Sequence, residues 1–349
     1  MQTVQDLGEE RLVARIGRLI APLQPGRLGI GDDAAVVSFP GKETVLTTDT
    51  LVENVHFRRS WCTPEDVGWK ALAVNLSDVA AMGAHPVAAL VSLILPPTTP
   101  VSAVLGFYRG MRPLAGRHAV DILGGNLARG PVLSLTLTVL GESPDGRPLL
   151  RSGARPGDRL FVSGQPGEAR LGCLILDHAF AQQRISKKDP WTQTTAAQIR
   201  ERRRVTEALP GSSTAVRHFL RPEPRLDLAR SIRGLGPTSL MDLSDGLAAD
   251  LPRLARASGV GIVVEADALP ASRAFRHLCE VFRVSAERIT LEGGEDYELI
   301  MTRPAKAPSP DPKQWWAIGE ITSGNKILLR DPSGRTRPLR VKGYDHFKR

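Results

Sequence analysis

Acidic residues stand where this chain has every other reason to be apolar or tightly turned. Thr47-Thr48-Asp49 puts a carboxylate inside Val45–Val52, a β-branched run that reads as a strand. Asp78 interrupts a helix that is otherwise apolar through Ala71, Leu72, Val74, Leu76, Val79 and Met82. Asp32-Asp33 and Glu295-Asp296 are paired acids in glycine turns, and Asp242 and Asp245 flank Ser244 at a strand-to-helix junction. Burying one unpaired carboxylate costs several kcal/mol, so each needs a partner. Lys and Arg are scarce in these segments. A fold that gathers them around shared hard cations satisfies all of them, and carboxylate, hydroxyl and water are the ligands Mg²⁺ prefers, usually together with substrate phosphates. Taken singly, each Asp also reads as a cap or turn residue. Ser244 and Asp245 fit that reading because they open a helix.

The elements around these acids alternate. Gly8–Leu23 reads as an amphipathic helix. Thr63-Pro64-Glu65-Asp66 opens a helix running to Met82, with Thr as N-cap, Pro at the first helical position and Gly83 closing it. Val87–Leu95 reads as a buried strand, Ser102–His118 as a helix containing Pro113, and Val120–Leu123 and Val132–Leu140 as strands. The last alternates Leu133, Leu135, Leu137 and Val139 against Ser134, Thr136 and Thr138. After a Gly/Pro-rich stretch at 141–159 a second set follows: strands at 159–163, 238–242, 261–265, 296–302, 315–321 and 326–330, and helices at 168–180, 226–233 and 245–258, with a Pro-rich linker at 305–312. At about 150 residues per domain, 349 residues suggest two. The expected class is α/β in α+β layers, with domains at 1–141 and 150–349. Asn75-Leu76-Ser77-Asp78 echoes Asp242-Leu243-Ser244-Asp245, too short a match to establish a repeat.

Charge excludes some function classes. The net charge is +9, of which Gln182–Thr206 carries +5 and Asn325–Arg349 carries +6, leaving the rest at −2. A near-neutral body and only three Tyr argue against a general nucleic-acid binder, so the basic segment at 182–210 reads as a solvated excursion. The longest apolar run, Val87–Leu95, is about half of a membrane span. The N-terminal ten residues are polar and acidic, without an apolar signal core. Three scattered cysteines, Cys62, Cys173 and Cys279, form neither a disulfide framework nor a metal knuckle. The expectation is a cytoplasmic protein with no membrane and no nucleic-acid partner.

Two nucleotide motifs fail. Gly29-x-Gly31-x-x-Ala34 matches a dinucleotide fingerprint, but no strand precedes it and Asp32 and Asp33 would face the pyrophosphate as like charges. No P-loop is present. A nucleotide site here relies on metals, backbone amides and Arg. His56, Gly124-Gly125-Asn126, Arg151 and Tyr344 are further polar candidates. Gly124-Gly125 suits either backbone approach to an anion or a plain turn. His56 equally reads as a surface or cap residue.

Nine segments, in order, resemble the bacterial thiamine-monophosphate kinase family: GIGDDAAVV (29–37), TTDTLVENVHF (47–57), WKALAVNLSDVAAMGAHP (69–86), GGNLARG (124–130), RSGARPGD (151–158), RHFLRPEPR (217–225), DLSDGLAADL (242–251), GGEDYELIMT (293–302) and KGYDHF (342–347). GDD and DLSDG alone mark only the wider superfamily of aminoimidazole-ribonucleotide synthetase, selenophosphate synthetase and a hydrogenase-maturation protein. NVHF, NLSDVAAMGA and KGYDHF point to the kinase.

The resemblance implies a two-domain aminoimidazole-ribonucleotide-synthetase-like fold and a homodimer whose N-terminal domains pair into a β-barrel-like core. It implies transfer of the ATP γ-phosphate to thiamine monophosphate, giving thiamine diphosphate, the last step of its biosynthesis. By the family pattern Asp33, Thr47, Thr48, Asp49, Asp78, Asn126, Asp242 and Asp245 map to metal ligands for several Mg²⁺ ions. Gly125, Asn126, Arg151 and Ser244 map to ATP contacts, and His56, Glu295 and Tyr344 to the thiamine side. The acceptor phosphate is already ionised, so no general base and no catalytic side chain is expected, and transfer is direct and in line. One residue departs from the pattern: Asn126 stands where the family has Asp, which removes a charge. The alternative it raises is a weakly active or non-catalytic binder of nucleotide or thiamine phosphate. Another phosphorylated small molecule as substrate is a further reading. The segment at 182–210 looks longer and more basic than the family's.

Overall fold

The computed structural model describes residues 2–3, 7, 9–20, 44–144, 147–181, 191 and 209–340. Asp33, Tyr344 and nearly all of the basic excursion lie outside the described residues. Two units divide the chain. Met1–Val79, His85–Arg147 and Leu176–Ala208 group as one; Ala80–Ala84, Pro148–Ile175 and Leu209–Arg349 group as the other. Asp177 and Trp191, which the sequence reading placed in the second domain, therefore group with the first unit.

The first unit begins with α1 (Glu9–Leu19), which buries Leu12 and Ile16 one helical turn apart. Its sheet contains β1 (Thr44–Val52), β2 (His85–Leu95), β3 (Asp121–Arg129) and β4 (Ser134–Glu142) in the order β1-β4-β2-β3. The alternation in β4 holds as read: Leu133, Leu135, Leu137 and Val139 are fully buried. The other face stays open, with Leu46, Leu90 and Ile94 exposed at 65%, 37% and 40%. α2 (Pro64–Ala81) and α3 (Val101–His118) cross so closely that a Cβ on Gly68 or Gly110 would strike the other helix's backbone.

One expectation is corrected here. Gly124-Gly125 is no turn; β3 continues through it to Arg129. A register shift at Ala89/Leu90 sets both glycines at φ near +155°, and a Cβ on Gly125 would lie 1.7 Å from Val91 O. Close approach of β2, rather than a reversal, demands glycine.

The second unit is built on a mixed seven-stranded sheet. It comprises β5 (Asp158–Ser163), β6 (Ser239–Leu243), β7 (Gly261–Glu265), β8 (Glu298–Pro304), β9 (Trp315–Thr322), β10 (Ile327–Arg330) and β11 (Thr336–Pro338), ordered β11-β10-β7-β9-β5-β8-β6. One face packs Leu160, Val162, Met241, Leu243 and Ile300 against Leu247, Leu251 and Leu254 of α7 (Leu247–Ser258). The remaining helices are α4 (Glu168–Ala181), α5 (Ser212–Leu220), α6 (Leu226–Ile232), α8 (Arg273–Val281) and α9 (Ala286–Glu292). The sequence reading missed α5, α8, α9 and β11. Ser272 and Ser285 accept from the Phe275 and Arg288 amides and so cap α8 and α9, a signal present in the sequence but overlooked. The four-letter echo falls inside α2 in one copy and across β6 and a turn in the other, so it marks no structural repeat.

Candidate active site

In the first unit, β1 presents Thr47 and Asp49 to the face covered by α2. Thr47 Oγ1 donates to Asp78 Oδ2 at 2.5 Å, and the Asp49 N–H donates to Asn75 Oδ1 at 3.0 Å. β1 is an edge strand, so its outward amides need a partner from elsewhere, and Asn75 supplies one. The Asn75 amide is itself oriented by donating to Ala71 O at 3.0 Å. This gathers a hydroxyl and two carboxylates, oxygen donors of the kind that suit Mg²⁺.

Thr48 stands apart. Strand alternation turns it to the open face, where its Oγ1 donates to Leu137 O at 2.9 Å and accepts from Thr138 at 3.3 Å. Asn126 is on that open face too, in a row with Ser92, Thr136 and Thr50. The residues read together as ligands are thus split between the two faces of one sheet. Gly125, next to Asn126, is the close-approach glycine of β3. His56 follows β1, and its Nδ1 accepts from the Val52 N–H at 3.0 Å. Sequence reasoning missed Lys70. It is 2% exposed, and its Nζ reaches His56 O at 3.4 Å. A lysine inside the apolar stretch Trp69–Val74 was the available sign.

In the second unit two acidic turns pack backbone to backbone. The Glu295 and Tyr297 amides donate to Ser244 O at 2.6 Å and Leu243 O at 2.8 Å. These bonds hold Glu295 at φ +66° and Tyr297 at φ +52°, left-handed conformations that cost a side-chain-bearing residue energy. Asp242, Ser244, Asp245 and Glu295 are therefore brought together. Asp242 is buried at the end of β6.

The helix-cap reading of Ser244 and Asp245 is corrected. α7 starts at Leu247 behind Gly246, with no side-chain cap. The Ser244 and Asp245 amides instead donate to Asp250 Oδ2 at 3.1 and 3.0 Å. Arg253 bridges the two carboxylates, 2.6 Å from Asp245 Oδ2 and 2.6 Å from Asp250 Oδ1. Burial pushes the Asp250 carboxyl up to about 6 against the pull of those amides and of Arg253. Asp245 thus already has a cationic partner, contrary to the scarcity inferred from its immediate neighbours. Asp296 accepts from the Gly167 and Ala169 amides at 2.6 and 3.0 Å, capping α4, and its burial raises its pKa well above its ordinary value. Glu298 is 2% exposed, accepts from Ser163 Oγ at 2.5 Å and is paired with both Nε (2.7 Å) and Nη2 of Arg225.

Arg151 is not near Ser244. It follows Leu150, whose carbonyl accepts from the Leu240 N–H at 2.9 Å. Ser244 lies four residues further along, about 13 Å away at strand rise. Among the described residues no group of three or more His, Cys, Asp or Glu side chains could hold a metal ion.

The chain matches the family model of the AIR synthase related protein, N-terminal domain, over residues 31–143, and the C-terminal domain over 155–331. The thiamine-monophosphate kinase of Escherichia coli strain K12 is 37% identical over 350 residues, 97% of this chain and 98% of that protein. The thiamine-monophosphate kinase of Aquifex aeolicus is 36% identical over 318 residues, 91% of this chain and 92% of its own. The chain belongs to the thiamine-monophosphate kinase family. A solved structure of that family, described as AaThiL complexed with AMPPCP and TMP, superposes with a TM-score of 0.74 at 33% identity, covering 99% of both chains. The two-domain family fold expected from the motifs is the fold observed. Among the described residues no helix is long and apolar enough to cross a membrane.

Proposed function

We propose that this chain transfers the γ-phosphate of ATP to the phosphate of thiamine monophosphate, giving thiamine diphosphate and ADP. The observation that carries this is relatedness to thiamine-monophosphate kinases from end to end, with both acidic turns included. Neither the relatives nor the fold favours a non-catalytic binder.

Asp49, Asp78 and Thr47 would hold Mg²⁺ in the first unit, joined by Asp33. Asp242 and Asp245 would do so in the second, Asp245 at the expense of its bond to Arg253. When bound, the metal offsets the repulsion between two polyanions and aligns them. The chain's own part is positional. Asn75 fixes the edge of β1 beside Asp49, the left-handed Glu295 is aimed by its bond to Ser244, and the backbone of β1 orients His56 toward the thiamine side. The Gly124-Gly125 backbone, Asn126, Arg151 and Ser244 are assigned to ATP, and Tyr344 to thiamine. No side chain need take a proton, because the acceptor oxygen is already ionised.

The working unit is proposed to be a homodimer. The open face of the first unit's sheet, with Leu46, Leu90 and Ile94 on it, supports this, since a soluble chain rarely leaves such a face bare. A second copy packed there would close a barrel-like core and bring ligands from the open face into a composite site. Work in the cytoplasm accords with three cysteines none of which forms a disulfide. Thiamine diphosphate formation from thiamine monophosphate, ATP and Mg²⁺ tests the reading. No product with any of these omitted, and product with all present, is the expected result.

A further inference from the structure

The loop Glu53–Cys62 carries His56 and leaves β1 through a tight local structure. Asn54 sits at φ +65°, and its N–H donates to Phe57 O at 2.8 Å. The His56 N–H donates to Val52 O at 3.0 Å while its Nδ1 accepts from the Val52 N–H. A neutral imidazole accepting at Nδ1 carries its proton on Nε2, so the loop's conformation sets which edge of His56 donates.

What braces this loop comes from far along the chain. Trp191 is 5% exposed, and its indole Nε1–H donates to Cys62 O at 3.1 Å, 129 positions away. Its ring stacks on Phe57, with centroids 6.4 Å apart and planes within 5°. The Arg59 guanidinium lies 4.9 Å over the same ring, and its Nη2 donates to Glu53 Oε2 at 2.9 Å. Phe107 of α3 meets the indole edge-on at 5.7 Å and supplies the fixed wall. Three of these four partners, Phe57, Arg59 and Cys62, belong to the loop. A tryptophan that merely filled a core would be held by the elements of a layer. An exposed second tie, Arg58 Nη1 to Asp177 Oδ1 at 3.0 Å, adds little energy but joins the C-terminal part of α4 to the same loop.

We propose that Trp191 is a positioning residue for the acceptor side of the site: by clamping Phe57, Arg59 and Cys62 it holds the 53–62 loop, and with it His56, in the form that receives thiamine monophosphate. This rests on the acceptor-side assignment of His56 made above. It gives the long excursion in this chain one defined task, delivery of an aromatic anchor to the substrate loop. The polar, basic sequence around Trp191 makes a buried aromatic conspicuous there.

The test uses the full-length Trp191→Ala and Trp191→Phe proteins, with steady-state kinetics in both substrates and hydrogen exchange of the free protein. In Trp191→Ala the KM for thiamine monophosphate should rise about tenfold, with kcat and the KM for ATP within about twofold. Trp191→Phe keeps a ring for Phe57 and Arg59 but cannot donate to Cys62 O, and should fall between; it carries the test if the alanine protein does not fold. The amides of Asn54 and His56 should exchange faster in the variants while those of Val45 and Leu51 in β1 do not. Equal rises in both KM values, or a loss confined to kcat, overturn the proposal. So does unchanged exchange in the loop. Faster loop exchange in a protein whose wild type makes no thiamine diphosphate overturns the acceptor assignment and leaves the clamp standing, which separates the two failures.

Discussion

Asp49 and Asp78 gain their importance from what surrounds them. Each interrupts a stretch whose other residues are mostly apolar or small hydroxyl residues, and the fold sets Asp49 and Thr47 on the sheet face covered by α2, where Asp78 of that helix accepts from the Thr47 hydroxyl. Asp49→Asn keeps the shape and the backbone bond to Asn75 but removes the charge. Thiamine diphosphate formation should fall by about 10² or more while thermal unfolding is unchanged. Asp250 behaves differently. Its folded pKa of about 6 lies above the ordinary carboxyl value of 3.8. The folded state therefore binds the proton more tightly, and Asp250 contributes stability at low pH that is lost as pH rises from 3.8 through about 6. The loss is on the order of 3 kcal/mol. Urea unfolding from pH 4 to 7 should show this fall in the wild type and a flatter profile in Asp250→Asn. At this scale the acids were legible because they break local patterns. The partner of Asp245 was not, because Arg253 lies two turns along a helix whose own pattern accounts for it.

Elements were most legible where one face is fully buried. β4 could be read residue by residue because Leu133 to Val139 alternate without exception. β3 could not, since Gly124-Gly125 has the composition of a turn, and only the neighbouring β2 backbone shows why glycine stands there. Gly125→Ala should cost on the order of 3 kcal/mol in urea unfolding, because its Cβ meets a carbonyl that cannot move aside. α8 and α9 escaped notice because each is short and polar on its outer side, below the length at which helical period declares itself. The pair Arg225–Glu298 was hidden for another reason. Its members are 73 positions apart, and each looks like an ordinary surface charge in its own segment. Arg225→Met should destabilise the protein by about 3–5 kcal/mol by stranding a buried carboxylate, and adding Glu298→Gln should recover part of it. A double mutant no more stable than the single one counts against this pairing.

For the whole molecule, the ligand set predicted from motifs divides between two units and, within the first, between two faces of a sheet. The motifs carry residue identity without placement, so this division was not legible in the sequence. The proposed second copy on the open face would bring part of that set together. Leu46→Lys with Leu90→Glu should shift the protein from dimer to monomer in light scattering and reduce turnover, leaving circular dichroism of the monomer native. A dimer that survives both changes would place the interface elsewhere. The central claim is tested most directly by following thiamine diphosphate and ADP from thiamine monophosphate, ATP and Mg²⁺, with Asp49→Asn beside the wild type. Equimolar products from the wild type, and about a hundredth of that rate from the variant, are the expected result. Equal rates in the two proteins, or ADP without thiamine diphosphate, would contradict it.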